Sequence, residues 1–240
     1  MNNTYKEALE FWNNAFEMDD EAKNEYKQEY DPVDGWKELC TSAKLQNVII
    51  DQLASKNRVL DYGCGEGWAG ITLNKSGCKD VTCVDVGENA IELCKCFMNH
   101  FNIEKGLRAE CVSTDWLKNE PAESYEGIFC SNVVDVLPAD VALDIIKNFA
   151  RITTRDAKIV IAMNFYSEPV SKPEKKIEFK NGNEMYVNGI LRMTSRTDEE
   201  WSEIFSQFFN VEEVTYFAWD GEDEETRRIF VMSKKVEYGN

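Results

Sequence analysis

The segment VLDYGCGEGWAG, residues 59–70, has the spacing in this chain that most clearly predicts chemistry. A strand-like run ends at Asp61, and glycines follow at positions 63, 65 and 67, before a helical pattern begins. Glycine permits a tight turn and lets a ligand approach the backbone closely. In an open α/β sheet, such a turn lies at the carboxyl edge of the strands, where ligands bind. The segment therefore predicts a ligand-binding turn.

The type of ligand follows from the glycine spacing and from two acids. The spacing G-x-G-x-G differs from the G-x-G-x-x-G of dinucleotide-binding turns. Asp61, placed just before the turn, opposes a pyrophosphate but suits a ligand that carries an ammonium group and a sulfonium. Asp85 ends the next strand-like run, where it could accept hydrogen bonds from two ribose hydroxyls. A dinucleotide-dependent oxidoreductase is the alternative, and this spacing disfavours it.

Composition and charge narrow the class of protein. The 240 residues include 27 Lys and Arg against 44 Asp and Glu, which gives a net charge of −17. Such a surface repels phosphodiester backbones, so we expect no nucleic-acid partner. The 43% of hydrophobic residues suffices for a core. No apolar run is long enough to span a membrane, and nothing in the pattern predicts an oligomeric state.

Cysteine and histidine usage predicts reduced thiols rather than a metal site. The eight cysteines include no C-x-x-C pair, and His100 is the only histidine. Zinc ligands would therefore have to come from scattered positions. We expect a cytoplasmic protein without a metal, since the first residues also lack a signal peptide. His100 ends a helix that leads away from the ligand edge, so we predict a structural role for it.

The order of elements predicts one α/β domain. Residues 1–55 read as a helical cap or lid, 56–165 as the ligand-binding core, and 166–240 as C-terminal hairpins and a helix. Strands alternating with helices predict a doubly wound, mostly parallel sheet. The predicted strands are RVLDY (58–62), VTCVD (81–85), AECVS (109–113), GIFCS (127–131) and KIVIAM (158–163), and the predicted helices between them include 89–101 and 139–152.

These motifs resemble the class I S-adenosylmethionine-dependent methyltransferases, which have a seven-stranded Rossmann-like fold. The resemblance covers about residues 36–235 and is strongest over 57–163. It implies S-adenosyl-L-methionine as the cofactor and an antiparallel hairpin at the end of the sheet. In this family the glycine turn holds the methionyl end of the cofactor. The residues implied at the cofactor are Asp61, Gly63, Cys64, Gly65, Gly67, Asp85, Val86, Asp115, Trp116 and Ser131.

The resemblance also bears on the methyl acceptor. Residues 131–138, SNVVDVLP, resemble the segment that walls the methyl-transfer site but lack the Asn-Pro-Pro-aromatic motif of enzymes acting on nucleobases or protein glutamine. We therefore expect methyl transfer to a small molecule; a protein or peptide methyltransferase, or a silent cofactor-binding module, is the alternative. No residue is assigned as a general base. The residues expected in the substrate pocket, some of them under an N-terminal lid, are Trp12, Tyr30, Asn132, Asp135 and Tyr166.

Overall fold

The computed structural model describes residues 3–235, in which eight α-helices surround a seven-stranded sheet, with a separate three-stranded sheet beside them. The helices are α1 (Asn3–Ala15), α2 (Asp20–Gln28), α3 (Ala43–Leu53), α4 (Trp68–Lys75), α5 (Glu88–His100), α6 (Trp116–Asn119), α7 (Ala139–Ile152) and α8 (Asp198–Phe205). The strands are β1 (Arg58–Tyr62), β2 (Asp80–Asp85), β3 (Leu107–Cys111), β4 (Tyr125–Ser131), β5 (Thr153–Met163), β6 (Ile177–Lys180), β7 (Glu184–Val187), β8 (Ile190–Thr194), β9 (Phe209–Phe217) and β10 (Arg227–Lys234).

The large sheet has the strand order β3-β2-β1-β4-β5-β10-β9. The first five strands are parallel, while β10 is antiparallel to both β5 and β9. This order confirms the doubly wound Rossmann-like sheet and its antiparallel final hairpin. Because β1 lies between β2 and β4, the turns that follow β1, β2 and β4 open at the same edge.

Two hydrophobic cores cover the faces of the sheet. Alternate residues of a strand point to opposite faces, so Val59 joins the core formed with α3, α4 and α5, and Leu60 joins the core formed with α7 and α8. Side chains of α1, including Leu9, pack against the second core. Helices on both faces bury the parallel strands and leave the carboxyl edge of the sheet available for a site.

A buried arginine ties the last strand to the loop after β5. Arg228 is 1% exposed, and its guanidinium donates to the carbonyl oxygens of Asn164 and Arg196. It also forms an ion pair with Asp198 at 3.3 Å. The three partners satisfy the guanidinium donors in the interior, which is what a buried charge requires.

The N-terminal helices have two different positions. In the second helix, Tyr26 packs edge-to-face on Phe97 of α5, and Tyr30 of the following loop does the same, so this part of the chain covers a face of the domain. Only α1 reaches the carboxyl edge of the sheet, where Trp12 lines a cavity. No helix among residues 3–235 is long and apolar enough to cross a membrane.

Candidate functional site

The glycine turn, residues 63–67, is fixed by backbone hydrogen bonds to β2. The N–H groups of Gly63 and Cys64 both donate to the carbonyl oxygen of Val84, at 2.8 and 3.0 Å. Gly63 and Gly65 have φ of 69° and 54°, in the left-handed region that favours glycine. A Cβ at Gly63 would lie 2.3 Å from a methyl carbon of Val133. The turn therefore needs glycine both for its conformation and for its close packing.

Asp85, the last residue of β2, links two turns through its carboxylate. Its Oδ2 accepts a hydrogen bond from Gly65 N–H at 3.1 Å, and its Oδ1 accepts one from Gly87 N–H at 2.8 Å. Burial is the largest effect on this group and raises the pKa of Asp85, while these hydrogen bonds act in the opposite direction. Asp85 thus holds the glycine turn and the start of α5 in one arrangement.

Asp61 supports the same turn from the interior. It is 2% exposed, and its Oδ2 accepts a hydrogen bond from Gly70 N–H in α4 at 3.0 Å. The thiol of Cys83 lies 3.7 Å from the same oxygen. Burial raises the pKa of Asp61 to about 7. The acid that precedes the turn therefore also fixes the helix that follows it.

A cavity of about 280 Å³ opens beside the glycine turn. The side chains of α1 form its roof, and the ends of β1, β2 and β4 form its floor. Three acids line it, Asp61, Glu66 and Asp85, and no lysine, arginine or histidine of the described chain does. Its aromatic lining consists of Tyr5, Trp12, Phe16, Tyr62, Trp68, Phe129 and Trp219. The cavity is therefore acidic at the glycine turn and apolar elsewhere.

The roof is anchored at both sides of the cavity. Asn89 of α5 donates to Asn13 of α1 twice, from its backbone N–H to Oδ1 at 3.2 Å and from its Nδ2 to the carbonyl oxygen at 3.1 Å. On the other side, the guanidinium of Arg192 in β8 lies 3.9 Å from the ring centroid of Phe11 and 5.3 Å from that of Trp12. The small sheet thus helps to hold α1 over the cavity.

The structure brings many of the predicted site residues together around this cavity. The predicted residues that line it are Trp12, Asp61, Gly63, Cys64, Gly65, Asp85, Val86, Ser131 and Asn132. They come from four different segments, and the strand order brings three of these segments to the same edge of the sheet. Asn132 has a φ of 52°, and its Oδ1 is buried without a hydrogen-bond partner.

Three residues expected at the cofactor lie outside the cavity lining. Gly67 caps α4 with a φ of 84°, and a Cβ there would lie 2.3 Å from Cys94 Sγ, so its role is in packing. Asp115 is exposed and pairs with Lys118 at 3.6 Å, while Trp116 packs against the second hydrophobic core. Burial, and to a smaller extent Asp115, raises the pKa of Tyr5, which lines the cavity, so the contact of Asp115 with the cofactor stays a prediction.

Three residues expected in the substrate pocket also lie outside the cavity lining, so their contact with a substrate stays a prediction. The ring of Tyr30 packs on Phe97 instead, and its carbonyl oxygen accepts from Nε2 of His100 at 2.8 Å, which gives that histidine a structural contact. Asp135 is fully buried, where its Oδ2 accepts from the N–H and Nδ2 of Asn164. Tyr166 is 47% exposed on the loop after β5. None of the three lines the cavity, because each is directed elsewhere by its own packing or loop.

Several lining residues were not predicted from the sequence. Trp68 stands directly after the glycine turn, a position that could have drawn attention. The centroid of its ring lies 5.4 Å from that of Phe129 and 6.2 Å from that of Trp219. Trp219 lies in the connection between β9 and β10, some 150 positions away, and no local pattern marks it. Glu66 sits within the turn and accepts a hydrogen bond from the hydroxyl of Tyr26 at 3.0 Å.

Residues 59–156 match the family model described as a methyltransferase domain. This stretch contains the glycine turn, Asp85, β1 from its second residue, and all of β2, β3 and β4. Over these residues the chain therefore carries a methyltransferase domain of the S-adenosylmethionine-dependent type. The strand order of the large sheet agrees with the Rossmann-like fold that the resemblance implies.

Two curated proteins that this chain resembles are ribosomal protein L11 methyltransferases. The protein from Thermotoga petrophila is 29% identical over 110 residues, which cover 46% of this chain and 38% of the relative. The protein from Thermotoga maritima gives the same identity and coverage. The match thus spans well under half of the length of these relatives.

Solved structures resemble the fold over most of its length. The 1,6-didemethyltoxoflavin-N1-methyltransferase of Burkholderia thailandensis has a TM-score of 0.63 at 13% identity, with 85% of this chain and 82% of that chain covered. The magnesium protoporphyrin IX methyltransferase of Synechocystis PCC 6803, solved with bound SAM, has a TM-score of 0.57 at 14% identity, with coverages of 80% and 79%. At these identities the likeness concerns the fold alone.

The residues around the cavity fit the cofactor of this methyltransferase family, S-adenosyl-L-methionine. A Cβ at Gly65 would lie 2.9 Å from the ring of Phe16, closer than a real contact allows, so the turn accepts no side chain where it faces the roof. Each Asp85 oxygen accepts one hydrogen bond from the protein and retains a lone pair for a ligand hydroxyl. The acidic lining suits a cationic ligand.

Replacing the buried Asp135 with asparagine should change how stability depends on pH. Burial raises the pKa of Asp135 in the folded protein above its ordinary value near 3.9. The folded state then binds more protons than the unfolded state above about pH 4, so the free energy of unfolding falls as pH rises towards the raised pKa. Asp135→Asn has no carboxyl group to titrate here, so its free energy of unfolding does not fall in this way. The slopes of the free energy of unfolding against pH should differ between the two proteins by at most about 1.4 kcal/mol per pH unit.

The measurement is urea denaturation of both proteins from pH 4 to pH 7. We expect the stability of Asp135→Asn relative to the unsubstituted protein to increase steadily with pH, whatever its starting value. Parallel stability curves for the two proteins would show that Asp135 does not titrate in this way.

Proposed function

We propose that this chain transfers the methyl group of S-adenosylmethionine to a small-molecule acceptor. The observation that carries the choice of cofactor is the acidic lining of the cavity. Asp61, Glu66 and Asp85 line it, and no cationic side chain of the described chain does. Like charges close together in a partly buried site repel strongly, so a pyrophosphate is disfavoured and a cationic ligand is favoured. This supports a sulfonium cofactor over a dinucleotide.

The glycine turn and Asp85 have separate tasks in the proposed complex. The turn lets the methionyl part of the cofactor lie against the backbone of Gly63 and Gly65, and the Asp85 carboxylate accepts hydrogen bonds from the ribose hydroxyls. A charge-assisted hydrogen bond of this kind is about twice as strong as a neutral one. The bound cofactor supplies an electrophilic methyl group, and everything else in the reaction depends on how this chain positions the acceptor.

Positioning and exclusion of water are the expected contributions of the roof. Trp12, Phe16 and Trp219 supply apolar surface around the cavity. Holding a nucleophile in line with a methyl group saves the entropy of bringing them together. Tyr5 and Tyr62 also line the cavity, but burial raises the pKa of each, so both stay protonated near pH 7. We infer an acceptor that is already nucleophilic without a tyrosinate base.

The size and closure of the cavity support a small acceptor. A cavity of about 280 Å³ beneath α1 is narrow for a folded protein substrate. Methyl transfer to a protein is the second candidate, because the curated relatives are ribosomal protein L11 methyltransferases. All eight cysteines of the chain are free thiols, which supports our proposal that the reaction takes place in the reducing cytoplasm.

Substituting valine at Gly65 should weaken cofactor binding at least tenfold. The side chain would occupy the space between the turn and Phe16, where its Cβ alone would come within 2.9 Å of the ring. Gly77→Val is the matched control, because Gly77 also has a positive φ, of 108°, but nothing lies within 4 Å of its Cβ position. Both substitutions cost about 1–2 kcal/mol of stability through the left-handed backbone.

Isothermal titration with S-adenosylmethionine measures the difference between these variants. The unsubstituted protein and Gly77→Val should bind in the micromolar range, and Gly65→Val should bind at least tenfold more weakly. Equal loss of affinity in both variants would mean that backbone strain, rather than the space at the turn, explains the effect.

Labelled cofactor should transfer its methyl group to small molecules. A cell extract is separated by ultrafiltration into small-molecule and macromolecular fractions, and each is incubated with the protein and methyl-labelled S-adenosylmethionine. We expect label in the small-molecule fraction, because α1 closes the cavity to larger acceptors. Label confined to protein would overturn the small-molecule proposal in favour of the second candidate.

A chain that begins at Met18 tests the part played by α1 in the same assay. The strands of the large sheet all lie beyond this point, so we expect the shortened chain to fold, and we expect it to lose turnover because the roof is gone. Trp12→Ala in the full chain should lower turnover in the same direction, and it provides the test if the shortened chain is unstable. Full turnover in a folded chain without α1 would contradict this role.

A further inference from the structure

Three cysteines that are scattered in sequence meet behind the glycine turn. Cys64 belongs to the turn, Cys83 to β2 and Cys94 to α5. Their sulfur atoms all lie within 4.8 Å of one another, and all three residues are free thiols. The sequence predicts no metal site because its possible ligands are dispersed along the chain. The fold, however, brings these three cysteines together. We call these three residues the thiol cluster.

The thiol cluster occupies space that two neighbouring glycines leave open. A Cβ at Gly67 would lie 2.3 Å from Cys94 Sγ, and a Cβ at Gly70 would lie 2.1 Å from Cys83 Sγ. The start of α4 therefore approaches the sulfur atoms closely. The Cys64 and Cys83 sulfurs make only long hydrogen bonds outside the cluster, to Gly65 O at 3.6 Å and to Asp61 Oδ2 at 3.7 Å. Packing holds the sulfurs in place and leaves them able to act as ligands.

We propose that Cys64, Cys83 and Cys94 together bind one soft divalent metal cation of the Zn²⁺ and Cd²⁺ type. Three thiolates around a cation at about 2.3 Å stand roughly 4 Å apart, so the sulfurs need to move by less than an ångström each. Thiolate ligands select soft cations over Mg²⁺ or Ca²⁺. With three protein ligands, a water molecule from the cavity would take the fourth tetrahedral position.

Charge favours a divalent over a monovalent cation. Three thiolates with a divalent cation carry one net negative charge, whereas a monovalent cation would leave two. Burying a net charge is unfavourable because the protein interior solvates an ion poorly. The smaller net charge is therefore the better tolerated.

The cation reaches the thiol cluster through the cavity. Cys64 lines the cavity and is 5% exposed, whereas Cys83 and Cys94 are fully buried. The metal would therefore join a residue of the glycine turn to β2 and α5. Binding uses the metal-free protein as it stands and needs no methyl transfer, so it can fail or succeed independently of the proposed function.

The experiment is a titration of the reduced full-length chain with Cd²⁺. Binding is monitored through the ultraviolet absorption of cadmium–thiolate bonds. We expect one tightly bound Cd²⁺ per chain, and at least tenfold weaker binding in Cys64→Ser and in Cys94→Ser. Cys130→Ser, a buried thiol elsewhere, and Cys111→Ser, an exposed one, are matched controls that should bind as the unsubstituted protein does. Thermal unfolding without metal shows whether each variant is folded.

Protection from alkylation tests the same site without any substitution. Iodoacetamide labelling, read by mass spectrometry, should become slower at Cys64 when Cd²⁺ is present, while Cys111 is labelled at an unchanged rate. Absence of a one-to-one complex, loss of binding in Cys111→Ser, or unchanged labelling of Cys64 would each overturn the proposal. A titration with S-adenosylhomocysteine in parallel reports on the cofactor site separately.

Discussion

The carboxylate of Asp85 is the constraint on which the rest of the site depends. One oxygen holds Gly65 in the turn after β1, and the other holds Gly87 at the start of α5, so a single side chain sets the spacing of two βα units. A side chain at either glycine would crowd the roof. A Cβ at Gly65 would lie 2.9 Å from Phe16, and a Cβ at Gly87 would lie 3.0 Å from Asn13. The turn, the helix and the roof are therefore positioned relative to one carboxylate.

The acidity of the cavity follows from the same arrangement. Asp61 and Asp85 lie at the ends of adjacent parallel strands, where they fix backbone N–H groups and cannot be replaced by cations without losing those contacts. Burial raises the pKa of both acids, which reflects the cost of holding charge there. A cationic ligand would lower this cost. The two carboxylates that support the turn therefore also favour a sulfonium cofactor.

The sequence predicts those features that depend on local pattern. The predicted strand 58–62 and the predicted helix 139–152 agree with β1 and α7, because hydrophobic periodicity is a local property. The glycine turn and Asp85 are also local signals, and the parallel strands place them at one edge. By contrast, no local pattern shows that Tyr30 and Asp135 lie outside the cavity lining, because tertiary contacts with Phe97 and Asn164 decide where they point.

Long-range packing supplies the features that no pattern in the sequence reveals. Trp219 reaches the cavity only because the last hairpin lies beside β5, and Arg192 anchors α1 only because the small sheet packs on it. The thiol cluster likewise needs β2 and α5 to lie against the turn. Each of these depends on contacts between distant segments, which local spacing does not encode.

Calorimetric titration of Asp85→Asn beside the unsubstituted protein tests the central claim most directly. Asparagine keeps the size of the side chain and one acceptor oxygen, but it removes the charge and the second acceptor. We predict that S-adenosylhomocysteine binds the unsubstituted protein with about −7 to −8 kcal/mol and Asp85→Asn at least tenfold more weakly, while NADH gives no binding heat with either. Equal affinity of the two proteins for S-adenosylhomocysteine, or binding of NADH in its place, would contradict the account.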